Sequence, residues 1–259
     1  LLGKSTYALS IILDMLPVEF QRVGLISNIP DEENTSLAFP FLVPHIQVRE
    51  YTEDQMTDWQ SPSFIIASIG KSRRLIAEHF IKTYAIPEER FIPLIHTSSV
   101  IANGFTADIG LHISPLSVIA PYCTFGRFVV INRHVNVGHH TMLHDYVSVN
   151  PGVTISGICT IGERTTIGAG ATIVDRIKIG RDTIIGAGSV VTKDIPDGVI
   201  ASMPFLDGLG VPSRLASKSG FPGCFDGFVT ELADAWLRAL PPECLTEVEI
   251  FACGPTPML

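Results

Sequence analysis

Every sixth residue between Ile101 and Val191 is apolar: Ile101, Ala107, Ile113, Ile119, Phe125, Ile131, Val137, Leu143, Val149, Ile155, Ile161, Ile167, Ile173, Ile179, Ile185 and Val191. Two residues before each runs a second non-polar or small series, including Ser117, Cys123, Val129, Val135, Thr141, Val147, Val153, Cys159, Thr165 and Ala171. No Asp, Glu, Lys, Arg or His enters either series. A period of six fits neither a helix of 3.6 residues per turn nor hairpins of variable length. It fits a repeat solenoid of short strands and tight corners.

Three hexapeptides make one triangular coil of eighteen residues, and successive coils stack through backbone hydrogen bonds about 4.8 Å apart. The recurring aliphatic side chain points inward, the small one sits beside a corner, and the remaining positions face out. About five coils fit between residues 99 and 195. Glycine follows the aliphatic residue at Gly126, Gly138, Gly162, Gly168, Gly180 and Gly186, where a corner calls for unusual dihedrals.

The flanks lose this period. Residues 1–98 read as a small Rossmann-like α/β domain. Ser5 and Thr6 cap a helix running through Leu9–Leu13, Val23–Ile26 and Phe64–Ala67 read as buried parallel strands, and 72–82 as a following helix. Residues 99–202 form the solenoid, and 203–259 again read strand, helix, strand. The first residue is Leu rather than Met, so the first strand is read as cut short.

Composition excludes several classes. A formal charge of −8 argues against nucleic acid as the main partner. No apolar run approaches the length of a membrane span, and no secretory leader is visible. Five cysteines (Cys123, Cys159, Cys224, Cys244 and Cys253) form no Cys-x-x-Cys pair. That usage suits reduced thiols in a cytoplasmic protein, mostly acting as small buried hydrophobes.

The stretches Ile161-Gly162-Glu163, Ile167-Gly168-Ala169-Gly170-Ala171 and Ile185-Gly186-Ala187-Gly188-Ser189 through Ile195-Pro196 resemble the left-handed β-helix acyltransferases. With the preceding α/β domain, residues 1–202 resemble the sialic acid O-acetyltransferase family, which includes N-acetyltransferases of UDP-linked amino sugars. The fold implied is a mainly β, left-handed parallel β-helix after a small α/β domain. The activity implied is direct acetyl transfer from acetyl-CoA to an amine or hydroxyl of a sugar or sugar-nucleotide acceptor, in a homotrimer with active sites between subunits.

The family's catalytic histidine falls on His139, within His139-His140-Thr141-Met142-Leu143-His144-Asp145-Tyr146. Its implied role is general base, for which a side chain titrating near neutrality is suited. Gly157 lies eighteen residues on, one coil away, and by resemblance its backbone N–H binds the thioester oxygen as charge develops there. The family usually has Asp or Glu directly after the catalytic histidine; here that residue is His140, and Asp145 is the candidate support. A further family contact, often a histidine, falls on Ser148. The pantetheine arm would run near Ala169 and Ala187. At the sugar-nucleotide end the family's Gly-x-Gly-Gly-His-Ala loop is replaced by Gly3-Lys4-Ser5-Thr6-Tyr7-Ala8, which leaves Gly3, Lys4 and Ser5 as candidate phosphate contacts.

Other readings stay open. Gly3-Lys4-Ser5-Thr6 matches the end of a P-loop, but the further glycine would lie before this chain and no Walker-B strand follows. His134, His139 and His144 stand five apart, like the His-x4-His zinc pair of γ-class carbonic anhydrases. The positions of the third histidine hold Ser98 and Asn103, so that triad fails, and His112, His134 and His144 read as outward-facing. Residues 203–259, with Phe251-Ala252-Cys253-Gly254-Pro255 and Met258, resemble a portion of the NAD(P)H-binding domain of ferredoxin-reductase-like proteins and dihydroorotate dehydrogenase electron-transfer subunits. That likeness implies an NADH-dependent, flavin-linked electron-transfer component as the alternative function. About 55 residues make half a dinucleotide-binding sheet, and a fusion or join near residue 200 accounts for the change. A non-catalytic solenoid is the third reading.

Overall fold

The computed structural model describes residues 1–3, 6–16, 20–27, 46–68, 70–198, 200–201, 216–217 and 225–226. The chain divides into two units, Leu1–Pro212 and Ser213–Leu259. Of the second, Ala216–Ser217 pairs in parallel with Phe225–Asp226. The rest of the segment likened to an NAD(P)H-binding domain lies outside the described residues.

The first unit opens with a three-layer α/β arrangement. β1 (Arg22–Ser27) pairs in parallel with β2 (Gln47–Thr52). Leu2 bridges Ile26 on one side and Ile66 on the other, both in parallel, so it stands as an inner rung. Alternate residues go to opposite sides of this sheet. Val23, Leu25, Ile65 and Ala67 pack under α1 (Thr6–Met15), which buries Ala8, Leu9, Ile12 and Leu13 on one stripe. Ile26, Phe64 and Ile66 pack under α2 (Lys71–Tyr84) through Ile76, Ala77 and Phe80, together with Phe91 and Phe128.

The remainder of the unit is a left-handed parallel β-helix of three faces. The first face is a six-stranded sheet whose strands begin at Val100, Val118, Asn136, Thr154, Thr172 and Val190. The second has five strands beginning at Thr106, Thr124, Met142, Thr160 and Lys178. The third has seven, beginning at Leu94, His112, Val130, Ser148, Thr166, Ile184 and Ile200. Each rung pairs with the one eighteen residues on, as Asn136–Val137 does with Thr154–Ile155. From Ile113 to Val191 every member of the aliphatic series is buried. Ile101 is half-buried and Ala107 exposed, because they stand in the first coil with no rung beneath them.

The second series shows why Ser, Thr and Cys alternate with Val. Ser117 Oγ donates to the carbonyl of Asn132, Cys123 Sγ to Gly138, Thr141 Oγ1 to Ser156, Cys159 Sγ to Val174 and Thr165 Oγ1 to Gly180, at 2.7–3.2 Å. Each donor thus caps a carbonyl fifteen residues on, at a corner where the ladder leaves it unpaired. Cys123 and Cys159 are free and buried, and burial pushes both thiols up.

The glycines correct the dihedral expectation. Left-handed φ falls instead two residues later, at corner residues such as Tyr122, His140, Ile158 and Arg176 and at Gly152, Gly170 and Gly188. Gly126, Gly138, Gly162, Gly168 and Gly180 lie outside that region; a β-carbon on any of them would stand within 2.3–2.5 Å of the next coil. At these rungs the neighbouring coil leaves no room for a β-carbon on the backbone as it stands, whereas the same position carries Ser114, Asn132, Asn150 and Ser156 in other rungs.

Candidate active site at a solenoid edge

His139 sits on the edge joining the first and second faces, directly after the strand Asn136–Val137. The coils stack here by backbone bonds: His140 N–H donates to Pro121 O at 3.1 Å, Ile158 N–H to His139 O at 2.8 Å and Arg176 N–H to Gly157 O at 2.9 Å. This register sets Gly157 one coil above His139. A β-carbon on Gly157 would lie 2.8 Å from His139 Nε2 and 2.9 Å from Cε1, so the imidazole lies against that glycine. The Gly157 N–H has no acceptor among the described residues.

The next edge shows what such a corner amide binds. Arg127 occupies the position equivalent to Gly157, and its N–H donates to Asp145 Oδ1 at 2.9 Å. Arg181 N–H likewise donates to Asp197 Oδ1 at 3.0 Å. Corner amides at this position take side-chain oxygens, a carboxylate at Arg127 and Arg181 and a carboxamide at Arg133, whose N–H donates to Asn132 Oδ1 at 2.9 Å; Gly157 presents the same amide beside an imidazole.

The other half of the pair is His140. Its φ of 56° turns the side chain back, and its Nδ1 lies 3.0 Å from His139 Nδ1 with the two rings nearly perpendicular. Tyr122, one coil below, packs its ring 5.1 Å from that of His140. Both histidines are exposed. By sequence alone His140 stands only as a missing carboxylate. The adjacency of the two histidines is visible there, but the left-handed corner that closes the contact is not.

Within one chain Asp145 is not the partner of His139. Six residues advance the chain by one edge, and its carboxylate is spent on Arg127. Ser148 is buried on the third face, in register with Val130 and Thr166. Ala169 and Ala187 stack on the edge between the third and first faces, where Gly188 N–H donates to Ala169 O at 2.8 Å. Residues meet along an edge when they lie about one coil apart, sixteen to nineteen residues here, so the chain by itself joins His139 to Gly157 and to none of these four. His134, His139 and His144 belong to different edges for the same reason. Among the described residues no group of three or more His, Cys, Asp or Glu is placed to hold a metal ion.

Gly3 has φ 90° and donates its N–H to Ile26 O at 3.0 Å. Lys4 and Ser5 lie outside the described residues.

His112 corrects the outward-facing expectation. It is buried, its Nε2 lies 2.9 Å from Ser114 Oγ, and burial with Arg73 nearby pushes its pKa down to about 3. Arg73, on α2, is also buried and among the described residues bonds only backbone oxygens: Ile66 at 2.8 Å, Gly110 at 2.9 Å, and Ser68 and Phe128 at 3.3 Å. Burial lowers its pKa to about 10, which leaves it charged. Nothing in the sequence distinguished either residue from a surface one.

The model of the family Bacterial transferase hexapeptide (six repeats) matches residues 158–193. Comparison with curated proteins gives no match. Among solved structures, the chain is similar to perosamine N-acetyltransferase from Caulobacter crescentus, solved as a histidine-to-asparagine mutant with CoA and GDP-perosamine. The two are 19% identical over 76% of this chain and 91% of that one, with a TM-score of 0.55. It is similar to WeeI from Acinetobacter baumannii AYE at 20% identity over 73% of this chain and 86% of that one, with a TM-score of 0.50. The acetyltransferase domain of PglB from Neisseria gonorrhoeae FA1090 is 25% identical over 60% of this chain and 68% of that one, with a TM-score of 0.47. At these values the first two likenesses are of fold.

Proposed function

We propose that this chain is an acetyl-CoA-dependent acetyltransferase that transfers the acetyl group directly to an amine or hydroxyl of a sugar or sugar-nucleotide. The observation that carries the reading is the His139 imidazole lying against Gly157, whose N–H is open. His139 Nε2 takes the proton of the attacking group as it adds to the thioester carbonyl, and the Gly157 amide holds the oxygen that becomes negative. The carboxylates on the Arg127 and Arg181 amides support that second role from within the same molecule. The hexapeptide match over 158–193 and the fold shared with an N-acetyltransferase solved with CoA and GDP-perosamine support the donor and the acceptor class.

A homotrimer belongs to the same proposal. Val100, Val118, Tyr122 and Ile158 expose 59, 40, 62 and 40% of their surface on the first face and its His139 edge, an apolar band of the kind that subunits cover. A second copy against that band is also what would bring a pantetheine path along Ala169 and Ala187 to His139. Asp145 and Ser148 would act from a neighbouring copy, and Gly3, Lys4 and Ser5 as contacts to the nucleotide. No described helix is long and apolar enough to cross a membrane, and a cytoplasmic site of action completes the reading.

The test is thiol release from acetyl-CoA with UDP- and GDP-linked amino sugars, free amino sugars, sialic acids and serine as acceptors, comparing wild type with His139→Ala. Release that requires both an acceptor and His139 supports the proposal. Release that His139→Ala leaves unchanged removes His139 as base, and no release with any acceptor removes the activity.

A further inference from the structure

We propose that His140 is the positioning residue for His139: its Nδ1 accepts the proton on His139 Nδ1 and so keeps His139 Nε2 bare above Gly157. The inference deepens the acetyltransferase reading and rests on it for its catalytic consequence.

Two Nδ1 atoms 3.0 Å apart in neutral rings form a hydrogen bond only if one carries a proton and the other does not. The general-base role of His139 sets the direction. His139 Nε2 is the atom at Gly157, so a bare Nε2 there needs the ring's proton on Nδ1. His140 then carries its own proton on Nε2, away from the pair, and offers a lone pair at Nδ1. The corner geometry holds it there: φ of 56° at His140, the His140 N–H on Pro121 O at 3.1 Å and the Tyr122 ring against the imidazole. The charged groups further along this edge, Asp175 and Arg176, are paired with each other at 3.4 Å.

The consequence for the reaction is a neutral acceptor where a carboxylate would otherwise serve. When His139 Nε2 takes the acceptor's proton, the new imidazolium donates its Nδ1–H to His140, which spreads some of the positive charge over a second ring. A carboxylate would stabilise that cation more strongly. A neutral imidazole orients the base and leaves it a weaker proton trap.

The experiment is nitrogen-15 NMR of the imidazoles in the full chain at neutral pH, for wild type, His140→Ala, His140→Gln and His140→Glu, beside steady-state acetyl transfer. In wild type, His139 shows protonated Nδ1 and bare Nε2. In His140→Ala that tautomer is lost and kcat falls about 10- to 100-fold, with KM for acetyl-CoA within about twofold. His140→Gln and His140→Glu each supply an acceptor oxygen, so both restore the tautomer and most of kcat. A His139 ring protonated on Nε2 in wild type, or one whose tautomer ignores His140→Ala, overturns the inference. If no acceptor supports transfer, the acetyltransferase reading fails while the NMR result still decides the pair.

Discussion

The imidazole Nε2 of His139 stands 2.8 Å from the point a β-carbon on Gly157 would occupy. Glycine at 157 is therefore what lets the ring lie over that corner. Its backbone lies outside the left-handed region, so alanine is allowed there on conformational grounds and conflicts only with the ring. Gly157→Ala is expected to swing His139 aside and lower acetyl transfer about tenfold or more, while Tm moves by no more than about 2 °C. Steady-state kinetics and a thermal melt of the same preparation check this, and unchanged kinetics would contradict it.

Gly138 gives the contrasting case. A β-carbon there would meet Gly157 N and Ser156 C at 2.5 Å, and backbone cannot rotate away as a side chain can. Gly138→Ala is expected to push neighbouring coils apart at a cost of about 2–3 kcal/mol, lowering Tm by about 5 °C or more. Equal melts for Gly138→Ala and Gly157→Ala would mean that close coil contact does not fix these glycines.

Arg73 ties α2 to the first coils through the carbonyls of Ile66, Ser68, Gly110 and Phe128. Arg73→Met leaves those buried acceptors without a donor and is expected to cost about 2 kcal/mol or more. Arg73→Lys should recover little, since an ammonium cannot reach oxygens on both sides of a planar fork. Urea titrations of the three proteins measure the difference, and a lysine variant as stable as wild type would refute the fork argument.

His112 makes stability depend on pH. Its folded pKa is depressed to about 3 from the ordinary 6.5, so between those values the unfolded chain holds a proton that the folded one rejects. Stability is untouched above the unfolded value and declines as pH falls from about 6.5 toward 3, by up to about 1.4 kcal/mol per pH unit. His112→Gln, which cannot titrate, is expected to flatten Tm against pH between 6.5 and 4 relative to wild type. Parallel curves for the two proteins would show that the buried imidazole takes its proton without unfolding.

What the sequence by itself determined is the repeat. Sixteen apolar residues at intervals of six specify coils of eighteen, and that arithmetic alone sets His139 beneath Gly157, because residues one full coil apart stack on one another. The same arithmetic separates Asp145 and Ser148 from His139, six and nine residues being fractions of a coil. Tertiary structure decided the rest, where the outcome depends on local angles and on packing between distant segments. The left-handed turn at His140 makes an imidazole pair from two adjacent histidines. The close stacking of coils, rather than any dihedral, requires Gly138 and Gly162. Packing of the α/β layers on the first coils buries Arg73 and His112, two polar residues whose types predict a surface. A period fixes which residues lie above one another; it carries no information about how far a side chain turns at a corner or what covers a face.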